Sequence, residues 1–188
     1  MHKFDPAHAH RLTDPRRLEY EKPNIILKAA GMAPGMTAVD VGCGAGFYTF
    51  PLSGLVGEKG IVYAVDMSRD MLEILKKGMA DHDRGNIKPV LSEESRIPLG
   101  DGIADMVVNV NMLHEAYERD AFIRELKRLM KKNGRLLVID HKKELTPTGP
   151  PIEERVSYED AFALLKRHFD IVVKGPSGDY QYGLLAMK

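Results

Sequence analysis

A chain of 188 residues that is 44% hydrophobic and 29% charged fits one domain with a substantial core, and leaves too little for a second. Its 27 basic and 27 acidic residues cancel, which removes the basic excess expected of a nucleic-acid-binding protein. A single cysteine excludes an internal disulfide, and no apolar stretch nears the roughly 18 residues of a membrane span.

The first 21 residues read as an N-terminal arm, followed by one domain over 22–188. The arm lacks the apolar core of a secretory signal, so a cytoplasmic protein without membrane attachment is expected. It carries His2, His8 and His10 but no third ligand at a diagnostic spacing, so no metal site is expected. Phe4, Pro6 and Leu12 give it apolar anchorage, and it is expected to fold over the domain as a lid.

Proline near the start and Gly31 just beyond the end mark a helix over 23–30. Apolar runs at 37–42, 61–66, 87–92 (interrupted by Pro89), 106–111 and 135–140 read as five successive strands. Ser68 caps a helix running to Met79, with Leu72, Leu75 and Met79 on one face. Residues 120–132 put Phe122, Leu126, Leu129 and Met130 on one stripe. That helix closes with Lys131 and Lys132 near its negative end, then Asn133 and Gly134 for a left-handed exit. Ser157 and Asp160 open a last helix. Strands at 171–174 and 182–187 are separated by GPSGD, too short for a crossover helix, so they run antiparallel. The expected fold is α/β: a Rossmann-like seven-stranded sheet with a reversed last strand and helices on both faces, in a single domain.

The chemistry concentrates in residues 40–46, DVGCGAG, between the first strand and a helix containing Phe50 and Leu52. In an open α/β sheet such a loop lies at the carboxyl ends of the strands, where ligands bind. A dinucleotide loop needs a glycine where this chain has Phe47. Gly42, Gly44 and Gly46 alternate instead, after Asp40, an acid that would repel phosphate and attract an ammonium group. Asp66 ends the second strand 20 residues beyond Gly46 and is placed to accept both hydroxyls of an adenosine ribose.

These residues resemble the first motif of the class I S-adenosylmethionine-dependent methyltransferases, and Asp66 matches that family's ribose-binding acid. Residues 92–105, SEESRIPLGDGIAD, resemble its third motif, with Ala104 where Phe is commoner. There Glu93 falls on the acid, more often Asp, that accepts a hydrogen bond from the adenine amino group. Residues 126–140 resemble the family's helix-turn-strand segment, with Asn-Gly where Pro-Gly or Gly-Gly is usual. The resemblance covers 22–141 and is nearest to the small-molecule group typified by ubiquinone and menaquinone biosynthesis methyltransferases. It implies S-adenosylmethionine as cofactor, held by Asp40, Gly42, Gly44, Gly46, Asp66 and Glu93. It also implies a small-molecule methyl acceptor rather than nucleic acid or membrane.

His114, after the fourth strand, and His141, after the fifth, are the candidates for a general base where the acceptor arrives protonated. The lone Cys43 disfavours arsenic methylation, and the absence of an Asn-Pro-Pro-Tyr-like motif disfavours amine methylation of adenine or glutamine amide. Acceptor identity and oligomeric state are not written in these motifs. Two rival readings share the fold: a non-catalytic S-adenosylmethionine-binding module, and a nicotinamide-dependent oxidoreductase, against which Phe47 and Asp40 argue.

Overall fold

The computed structural model describes residues 14–82 and 85–188. The lid expected of the arm falls mostly on residues outside that range; 14–21 lie within it. All seven strands form one sheet in the order β3-β2-β1-β4-β5-β7-β6. They are β1 (Thr37–Val41), β2 (Ile61–Asp66), β3 (Ile87–Leu91), β4 (Ala104–Val110), β5 (Met130–His141), β6 (Ile171–Gly175) and β7 (Gln181–Met187). Pairs among β1 to β5 are parallel, whereas β7 runs antiparallel to both β5 and β6. Six strands therefore share one direction and the seventh is reversed, because the link from β6 to β7 has no room for a crossover.

Helices α2 (Pro23–Ala29), α3 (Thr49–Val56) and α4 (Arg69–His82) cover one face. There Leu27, Leu52 and Leu75 are fully buried against Ala38, Val108 and Leu137. Helices α5 (Arg119–Leu129) and α6 (Tyr158–Lys166) cover the other, burying Phe122, Leu126 and Leu165 against Val107, Leu136 and Leu184. Both faces of the central strands are thus largely apolar, which is why β1 and β4 read as near-continuous runs rather than alternations. A short helix α1 (Arg17–Tyr20) precedes α2. Ser157 caps α6 as expected, its Oγ accepting from Asp160 N at 3.1 Å. Ser68 Oγ accepts from Met71 N at 3.3 Å, and α4 continues three residues past Met79.

One expected boundary is wrong. The helix anticipated over 120–132 stops at Leu129, and Met130 turns extended at φ −71° and ψ 135°. Pairing across the sheet decides this: Met130 joins the ladder opposite Ala104, where the β4–β5 register shifts. Asn133 does take the left-handed conformation, at φ 67°, but inside a turn pinned by the chain end. Its N–H donates to Lys188 O, and Lys188 N–H donates to Gly134 O. Helix propensity loses to a buried Met and a set of long-range bonds.

Because β1 lies between β2 and β4, the helices after β1 and β4 leave toward opposite faces. The carboxyl ends of β1, β2 and β4 therefore open onto the crevice where α/β sheets take ligands.

Candidate active site at the carboxyl ends of the strands

The glycine loop and Asp66 are built as one unit. Asp66 Oδ2 accepts from Gly44 N at 2.8 Å, and Asp66 Oδ1 accepts from Ser68 N at 2.8 Å. Each oxygen keeps a further acceptor site, since a carboxylate offers about four in all. Gly42, Gly44 and Gly46 all have positive φ. At Gly42 a Cβ would collide with Met112, and at Gly46 it would meet Leu75 Cδ1 at 2.6 Å and Phe50 Cε2 at 2.7 Å. Two of the three glycines thus make room for protein side chains, while Gly44 turns its N–H onto the acid. Ser92 N–H donates to Asp66 O at 3.0 Å, which sets exposed Glu93 beside the end of β2.

Asp40 is 2% exposed and accepts from Thr49 Oγ1 at 2.6 Å. It lies behind the loop, so it acts on a ligand through its charge rather than from an open wall. Burial pushes its pKa up to about 7, the Thr49 hydroxyl opposes this, and the charge of Asp66 adds to it. The folded value lies above the unfolded one, about 3.9, so the folded chain holds this proton between the two. Stability without ligand is therefore expected to fall as pH rises from about 4 to 7, and Asp40→Asn should flatten that slope. A bound ammonium favours the carboxylate, so affinity for S-adenosylmethionine is expected to climb through the same window in the native protein only. Calorimetry at pH 5, 6 and 7.5 on both forms checks this; parallel profiles would refute the assignment.

The ends of β4 and β5 carry the two expected histidines. His114 Nδ1 lies 2.7 Å from Asp140 Oδ1, and His114 N donates to Asp140 Oδ2 at 3.0 Å. His141 N also donates to Asp140 Oδ1, at 2.7 Å. Asp140 is fully buried, and the rings of His114 and His141 are 6.4 Å apart. Burial works against a charge on His114, but the hydrogen bond and charge of Asp140 outweigh it, and its pKa is raised. His141 has no such partner; burial drives it down to about 4, so it stays neutral.

Residues 142–156 wrap this region, tied by Arg155, which is 5% exposed. Arg155 Nε donates to Pro150 O, Nη1 to Lys142 O, Glu144 O and Thr146 Oγ1, and Nη2 to Thr148 O. Gly149 passes so near His141 that a Cβ there would meet its Nδ1 at 2.7 Å.

Several residues at this mouth were not foreseen from sequence. Arg17 stacks over Phe47 at 3.9 Å and pairs with buried Glu21 at 2.8 Å. Gln181, opposite His141 in the β5–β7 ladder, donates to Asn111 Oδ1 at 2.8 Å. Asn111 has φ 55°, and an Asn just past a strand was the available signal for that left-handed turn. Nothing local marked Asp140 as a partner of His114 or Arg155 as the hub of a loop; both depend on distant chain.

Among the described residues, His141 Nδ1, Gln181 Oε1 and Tyr48 Oη are buried without a protein partner, on the α3 side of the mouth. Asn109 Oδ1, Thr148 Oγ1 and Tyr182 Oη are buried without a protein partner as well, and each such atom carries a free-energy cost that a hydrogen bond from water or a ligand would offset. The acceptor positions left on Asp66 and the charge of Asp40 fit the ribose hydroxyls and the ammonium group of an adenosine-bearing amino acid.

Comparison with known proteins gives the same direction. A family model described as a methyltransferase domain matches residues 33–173. A solved S-adenosylmethionine-dependent methyltransferase from Aquifex aeolicus is 39% identical, with a TM-score of 0.92, and the match covers 98% of this chain and 99% of that one. A ubiquinone/menaquinone biosynthesis C-methyltransferase from Shewanella sp. (strain ANA-3) is 31% identical over 62% of this chain and 47% of its own. An arsenite methyltransferase from Halobacterium salinarum is 32% identical over 59% of this chain and 28% of its own. The chain thus spans about half the length, or less, of the curated relatives it matches.

Proposed function

Since this chain belongs to the S-adenosylmethionine-dependent methyltransferases, we propose that it transfers the cofactor's methyl group to a small-molecule acceptor held at the ends of β4 and β5. The observation that carries this is Asp66 fastened to the glycine loop through Gly44, beside Asp40. In this reading Asp66 takes the ribose hydroxyls, Glu93 the adenine amino group, and Asp40 the ammonium through its field. Gly42, Gly44 and Gly46 shape the loop. When bound, the cofactor supplies a methyl carbon activated by its adjacent sulfonium. The chain contributes alignment of the acceptor, exclusion of water by residues 142–156, and polar groups at the acceptor end, His114 and His141.

The expected outcome of a thermal-shift experiment is stabilisation by S-adenosylmethionine and by its demethylated product, and none by NAD. At about 100 times the dissociation constant the gain is about 2.7 kcal/mol. A rise with NAD alone would sink the reading. Cofactor binding without turnover on any acceptor would favour the non-catalytic module.

A further inference from the structure

We propose that Asp140 and His114 form a proton-accepting dyad that makes this protein an O-methyltransferase for phenol-type hydroxyls. The inference rests on the reading just given and adds the acceptor class and a positioning residue.

The geometry assigns the roles. Asp140 binds His114 Nδ1 at 2.7 Å, which holds the proton on Nδ1 and leaves Nε2, on the far side of the ring, as the basic nitrogen. The same carboxylate accepts from His114 N and His141 N, so its position is fixed both from the turn after β4 and from β5. Arg119 donates to Leu113 O and to His114 O, which holds the turn carrying the imidazole. His141 sits alongside, its Nδ1 unpartnered against Gly149, and burial makes it too weak a base to take the acceptor's proton.

The step balances simply. The acceptor oxygen bonds to the methyl carbon while the carbon–sulfur bond breaks and its electron pair passes to sulfur. The hydroxyl proton goes to His114 Nε2, and the imidazolium is stabilised by Asp140. A nucleophile that is already an anion or bears a soft lone pair has no use for such a base. A phenol, with a pKa of about 10 like tyrosine, is matched to it.

The charged and titratable groups facing His114 are Asp140 from β5, Glu115 with Oε1 3.8 Å from Nε2, Glu154 before α6, the neutral His141, and the cation Arg119 from α5, which reaches His114 O and opposes the acids. The three acids all favour the imidazolium, so an acidic limb in the rate, set by His114 and lying above its ordinary value, is expected.

The test uses the full chain with catechol and hydroquinone as phenol probes, against arsenite and dithiothreitol. Expected are O-methylated phenols, a kcat about a hundredfold lower or more in His114→Ala, and an unchanged KM for S-adenosylmethionine. Added imidazole should restore part of the lost rate, which a merely structural histidine would not allow. Asp140→Asn should move the acidic limb downward; should that variant not fold, the imidazole rescue of His114→Ala decides alone. Absence of O-methylated phenol, faster methylation of arsenite or dithiothreitol, or a rate indifferent to His114→Ala would each overturn the proposal. Calorimetry with the demethylated cofactor separates the two levels: wild-type protein that binds it yet fails these assays loses only the dyad, whereas protein that does not bind it loses the underlying reading as well.

Discussion

Asp66→Ala is expected to weaken S-adenosylmethionine binding by about a hundredfold or more, the largest loss of any single change at the loop. In the proposed complex the carboxylate accepts two ribose hydroxyls, and hydrogen bonds to a charged group are worth about 1.5–3 kcal/mol each. The substitution also releases Gly44 N and Ser68 N, so part of the loss comes from a loosened glycine loop. Glu93→Ala serves as the reference: it lies exposed at the rim and offers one bond to adenine, so its effect should be smaller. Calorimetry on the two variants settles the order. Equal affinities for Asp66→Ala and the native chain would remove the ribose assignment.

Arg155→Met is expected to undo the wrapping of residues 142–156 while leaving the sheet intact. One buried guanidinium holds five acceptors spread over the loop from Lys142 to Pro150. Methionine keeps much of the packing and supplies no donor. A loss of about 3 kcal/mol or more in chemical denaturation should accompany it, together with faster proteolysis inside the loop. Turnover should fall at least tenfold, because water then reaches the acceptor end, while affinity for the demethylated cofactor stays within a few-fold. Unaltered proteolysis and turnover would show that the loop is held by other contacts and does not seal the site.

The residues on which the cofactor reading rests were legible because they act over short chain distances. A glycine loop must directly follow its strand, an acid must end the next strand, and GPSGD forces the last two strands antiparallel whatever surrounds them. The apolar runs of β1, β2 and β4 are signals of the same kind, since strands buried on both faces favour Val, Ile and Ala at most positions.

What the chain alone could not supply were relations between segments that meet only on folding. The end of α5 was set by β4 capturing Met130 and by Lys188 closing the turn at Asn133, 55 residues earlier in the chain. His114 and His141 looked equivalent in sequence, each a histidine past a strand. Burial lowers both, but the hydrogen bond and charge of Asp140 outweigh it and raise His114, whereas His141, without such a bond, falls to about 4. Glycine positions were readable but not their purpose: Gly42 and Gly46 clear space for Met112, Leu75 and Phe50, residues on other elements. Local patterns of hydrophobicity and turn chemistry therefore determined the sheet and the cofactor loop. Electrostatic environment and long-range hydrogen bonding, which exist only in the assembled tertiary structure, decided the states of His114 and His141.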